Sequence, residues 1–238
     1  MKFHRISIAT VFILASTRLP IAAQTTIYNF NDGRGPVPAH QHSNGGGWVE
    51  DTTLVAPTAY VGTGAVVYGR AWVWGHARIF GLARVFGDAK VSNHAAVFGN
   101  AQVSSAAWVH ENAQVAGEAA VGGMSMVAGN AMILEHAWIS GEAQVYDQAA
   151  VSGQAQVSGK AQVAGGATVY GQAVISGNAL VFGDAQVYDN GHVTGQAQAG
   201  GHSRVRGSGH ATGTALLDGC FVLNSGAVNI GVHAAPCP

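Results

Sequence analysis

The stretch Val151-Ser-Gly-Gln-Ala-Gln-Val157-Ser-Gly-Lys-Ala-Gln-Val163 repeats a phrase of six residues: an aliphatic, a variable residue, Gly, a polar residue, Ala and another variable residue. Stepping outward in sixes, Val or Ile occupies every such position from Val49 through Val193, without an insertion. The beat continues more loosely through Ala199, Val205, Ala211, Leu217 and Leu223. A hexapeptide period is the signature of a parallel β-helix, because one short strand cannot bury an apolar side by itself and must stack on its neighbours.

The phrase assigns a direction to each position. The Val or Ile points inward, and equivalent positions stack at the strand spacing of about 4.8 Å. The Ala four residues later, as at Ala101, Ala143, Ala155, Ala161 and Ala173, also faces inward, near a corner that admits only a small side chain. The Gly two residues after the Val supplies the backbone freedom that a corner demands. Residues flanking each Val point outward by strand alternation.

These hexads resemble the hexapeptide-repeat superfamily, which contains acyltransferases and gamma-class carbonic anhydrases. The resemblance covers residues 49–228. It implies an all-β, single-stranded, left-handed parallel β-helix with three hexads per triangular coil. The handedness comes from the resemblance alone. With about ten coils of 18 residues, the prism is roughly 48 Å long at the usual strand spacing.

Composition narrows the function. Gly accounts for 34 of 238 residues and only 10% are charged, yet Gly recurs in phase rather than in tracts, which argues for a regular fold. Formal net charge is −1. Lys2, Arg5 and Arg18 lie in the leader described next, so eight of the eleven basic residues face twelve acidic ones in the mature chain. Nucleic-acid binding by counterion release needs a basic face, and no such partner is expected.

Residues 1–23 read as a signal peptide: a positive Met1-Lys-Phe-His-Arg5, an apolar Ile6–Ala15 and small residues Ala22 and Ala23 before Gln24. The apolar run is too short to span a bilayer, so no membrane span is expected. The mature protein is expected to be secreted, periplasmic or at the cell surface. Residues 24–48 lack the beat and are dense in Gly and Pro, which reads as loop. Ile27, Tyr28, Phe30 and Trp48 form the apolar part of a cap over the first coil, whose bare edge needs cover. After Val205 the beat weakens, Asn229 breaks the rung, and residues 229–238 read as a closing tail. In an exported chain, Cys220 and Cys237 read as one disulfide.

Residues 18 apart stack, so three outer faces can be written down, following the Val49, Val55 and Val61 files. The first carries a hydroxyl file, Ser104, Gly122, Ser140, Ser158, Ser176, Thr194 and Thr212, which could order water, hold polysaccharide or simply solvate a strand. The second carries Trp72, Trp74, Trp108 and Met126. The third is apolar: Phe80, Phe98, Met132, Leu134, Tyr170 and Tyr188 form the candidate contact face. Such a strip marks self-association, glycan binding, or rings that merely protect the sheet. The resemblance favours a homotrimer, since members of that superfamily are commonly trimers.

Catalytic signals are sparse. His76 and His94 stack at one corner and His192 and His210 on the first face, but a catalytic zinc site wants three protein ligands. The carbonic anhydrases that the chain resembles carry a Gly-His-x-x-x-x-His element that is lacking here. The acyltransferases interrupt their hexads with an extruded loop, and none interrupts these. No cofactor or metal is expected. The expectation is a non-catalytic exported rod, structural or binding a glycan or protein surface. The alternative is an acyltransferase-like enzyme with an intersubunit site.

Overall fold

The computed structural model describes residues 26–237, so the leader at 1–23 and the first cap residues lie outside the described residues. The described residues form a parallel β-solenoid of about ten coils and contain no helix. Each six-residue phrase becomes a two-residue strand and a turn, for example Gln156–Val157 followed by Gln162–Val163. Strands pair with those one coil away in parallel register, as in Trp138↔Gln156↔Val174. Each coil donates its amides to the carbonyls of the next: Gln156 N–H meets Ala173 C=O at 2.9 Å, and Ser158 N–H meets Ile175 C=O at 2.9 Å.

The inward phase is the one the repeat predicts. Val73, Val115, Val157 and Val193 are fully buried, as are Ala71, Ala113 and Ala155 beside them. Ser125 takes an Ala position, and its hydroxyl donates to the Gly122 carbonyl at 2.7 Å. From Val67 through Leu217, the corner two residues after each inward aliphatic is left-handed. At Gly159, φ is +69°, and an added Cβ would lie 2.8 Å from the Gly177 carbonyl oxygen of the next coil. Where an acid replaces Gly at this corner, its side chain caps the next one. Glu111 and Glu135 accept the Gly129 and Gly153 N–H groups, both at 2.7 Å. Asp147 accepts that of Gly165 at 3.1 Å.

The N-terminal segment is not loop. β1 (Ile27–Asn29) and β2 (Pro36–Gln41) pair antiparallel, and β2 pairs antiparallel with β3 (Trp48–Glu50), which opens the first-face ladder. Pro36 and Pro38 fit because Ala39 between β1 and β3 donates instead, to Thr26 C=O at 2.9 Å. Phe30 and Tyr68 are buried against each other, and Tyr28 stacks on Trp48 at 4.5 Å. Ile27 lies outside this cluster and is exposed.

At the other end the coil shortens. Val205 pairs with Leu223, but His210 pairs with Ala227 and Leu216 with Val232, one residue and then two short of the 18-residue spacing. The inward place therefore falls on Val228, which packs on the core, rather than on Asn229. Strand Arg204–Ala211 turns a corner without breaking and joins the first and third faces into one sheet. Cys220 and Cys237 form a disulfide, with Cα atoms 5.0 Å apart.

Candidate functional site

A hollow with a volume of about 620 Å³ lies on the second face near the N-terminal end. Val55 and Val73 form its floor, and Leu54, Ala56, Trp72, Trp74, Lys90 and Trp108 its walls. Trp72, Lys90 and Trp108 precede inward Val73, Val91 and Val109, so alternation turns them outward. Parallel register then stacks them in consecutive coils, Trp72↔Lys90↔Trp108. Trp74 follows Val73 and stands beside Trp72, with ring centroids 6.4 Å apart and planes at 74°. Trp72 is 47% exposed and Leu54 60%, a large apolar exposure for side chains that could have been packed.

The polar groups of the hollow are few and placed. Lys90 Nζ lies 5.7 Å from the centroid of the Trp72 ring, within cation–π range. It is exposed and makes no ion pair among the described residues. Trp108 is held from behind. Its indole N–H donates to Ser92 Oγ at 3.3 Å, and its ring lies 4.3 Å from that of His110. The hollow thus offers broad ring faces, one cation and no carboxylate.

A second hollow, ionic in character, opens at the first corner. Glu50 is buried and accepts two hydrogen bonds from Arg34, at 2.9 and 2.7 Å, and the Gly69 N–H at 2.7 Å. The Arg34 guanidinium beside Glu50 holds that carboxyl below the ordinary glutamate range and raises Arg34 in turn. Asp32 is lowered by the Arg34 backbone amide and side chain. Every charge here is already paired, so this cluster clasps the hairpin to the first coil.

The third-face residues fall on one face in two groups. Phe80 and Phe98 stack flat at 4.9 Å, as do Tyr170 and Tyr188. Met132 is exposed and Leu134 half-buried. Ala116 continues the strip between Phe98 and Leu134, but Ser152 interrupts it before Tyr170. Burial raises Tyr170 above the ordinary phenol value.

Both histidine pairs meet as their spacing predicts, His76 with His94 at 5.5 Å and His192 with His210 at 4.4 Å. Burial and the His210 charge favour neutral His192. Among the described residues no group of three or more His, Cys, Asp or Glu side chains converges, and no helix is long and apolar enough to cross a membrane. The hydroxyl file from Ser104 to Thr212 is half-buried and regular, while its neighbour file mixes Gln156, Val174 and an exposed Trp138.

Sequence reasoning placed the tryptophans on the second face without marking them as a site, and it passed over Lys90. The signal was present: Trp72, Lys90 and Trp108 are 18 residues apart, the length of one coil. No protein-family model matches this chain, and no curated protein matches it.

Proposed function

We propose that the protein is an exported, non-catalytic rod of the left-handed hexapeptide-repeat type that binds an extended glycan along its second face. The observation that carries this reading is the hollow of Trp72, Trp74, Trp108 and Leu54, held open on a rigid sheet. Sugar rings present flat C–H faces that aromatic rings cover, and a rigid scaffold lowers the ordering cost of binding. Export is supported by the leader reading and fits the Cys220–Cys237 disulfide. The test is retention on a panel of neutral and acidic polysaccharides. Retention should be lost in the Trp72→Ala/Trp108→Ala double variant, and no retention by any of them would overturn the reading.

The third-face strip supports self-association as a second role, because the flush stacks of Phe80 with Phe98 and Tyr170 with Tyr188 offer a flat apolar surface. A homotrimer built on it would bring the acyltransferase-like alternative into view. In that case the neutral His192 beside His210 is the base to test, and His192→Ala should abolish any acetyl transfer.

A further inference from the structure

The second-face hollow contains one feature that a purely neutral ligand would leave unsatisfied. Lys90 sits in register between Trp72 and Trp108, so its ammonium emerges from a wall of indole. The nearest acid in sequence, Asp88, is engaged by Arg70 at 2.9 Å. Among the described residues, Lys90 is the only charged one that lines the hollow. A neutral sugar pressed against the rings would strip water from the ammonium and return no counter-charge, which is unfavourable. A carboxylate would replace that water with a charge-assisted hydrogen bond.

The spacing suits this. Adjacent coils are about 4.8 Å apart. A sugar ring on Trp72 or Trp108 therefore places a substituent one coil away, at Lys90. From this geometry we infer that the hollow takes a uronic-acid glycan: its ring faces lie on Trp72 and Trp108, and a carboxylate lies on Lys90. The inference rests on the glycan reading above and names the sugar class. General electrostatics does not account for it, because outside the leader eight basic residues face twelve acidic ones, so the exported chain repels polyanions as a whole. Recognition of the acid is local to one cation.

The test is calorimetric titration of the full chain with polygalacturonate and with alginate, each beside its carboxyl-reduced, neutral counterpart. The acidic form of at least one polymer should bind about tenfold or more tightly than its reduced form, the scale of one charge-assisted contact. Lys90→Gln should erase that preference, Lys90→Arg should keep it, and Trp72→Ala should weaken both forms. Added salt should weaken acidic binding in the parent chain and not in Lys90→Gln. Because Lys90 is exposed, these variants leave the core untouched. Equal affinity for acidic and reduced polymers would overturn the acidic inference and leave the glycan reading standing. A preference that survives Lys90→Gln would overturn the role of Lys90. Binding of neither form of either polymer would overturn the uronic-acid inference, and the glycan reading would stand or fall on the wider polysaccharide panel.

Discussion

The N-terminal coils, from Trp48 to His110, and the middle coils, from Glu111 to Val193, share one interior and differ in what they show to solvent. Val73 and Val157 are both fully buried, each with a buried Ala two residues before it. Outside, the first region carries Trp72, Trp74, Phe80, Phe86, Arg70, Arg84 and Lys90. At the positions of Trp72, Arg84, Phe86 and Lys90 the middle offers Gln144, Gln156, Ser158 and Gln162, while Tyr146 and Tyr170 keep rings at those of Trp74 and Phe80. The inward phase must repeat because each coil is the template for the next. The outward phase is free to vary, so chemistry concentrates in the coils that depart from the plain phrase.

The largest expected effect tests the shared interior. Val73→Asp and Val157→Asp should each cost on the order of 4 kcal/mol in denaturant unfolding, because each buries an unpaired carboxylate. Ser158→Asp, one residue outward, should stay within about 0.5 kcal/mol. Unequal losses for the two Val variants would break the claim that the two regions share a core. Next, Cys220→Ser should cost roughly 3 kcal/mol by the chain-entropy estimate for a loop of this size, with hydrogen exchange rising in the last coils first.

Smaller, and confined to the first region, is the clasp at Glu50. Glu50→Gln should cost about 2 kcal/mol, the scale of hydrogen bonds to a charged group, and expose the hairpin amides to exchange while the middle coils stay protected. Its pH dependence has a definite sign. The folded value of Glu50 lies below the unfolded one, so its contribution is present at neutral pH and fades as pH falls below about 4.3. The Gln variant should lack that portion of the acid limb. The smallest cost belongs to Phe98→Lys with Leu134→Lys, about 0.5 kcal/mol each for outward positions. A change in oligomer size by light scattering would establish the third face as a contact, and an unchanged size would remove it.

The fold was legible because a strict period leaves few alternatives: once Val157 points in, Ser158 must point out and Gly159 must turn. The hairpin was not legible, since Pro36 and Pro38 read as loop until Ala39, just after them, is seen donating to the Thr26 carbonyl. Nor were the corner carboxylates. Glu111, Glu135 and Asp147 stand in a Gly slot, and only three-dimensional stacking shows that each caps an amide one coil away. The tryptophans could be assigned to a face from spacing, but the hollow depends on which neighbours are small, as Ala56 is, and on Ser92 holding Trp108 in place. Left-handedness rested on resemblance alone.

The way the two ends are fastened bears on how long such a molecule survives. A stack in which each layer touches only its neighbours melts like a one-dimensional chain: peeling from a tip severs one interface per layer, whereas opening a bubble inside severs two before anything is gained. Here one tip is riveted by the Arg34–Glu50 clasp and the hairpin, the other by a covalent bridge. The cheap route is closed at both tips, so unravelling must begin by the costly one. The lifetime of the folded rod is then set by its rate of unfolding.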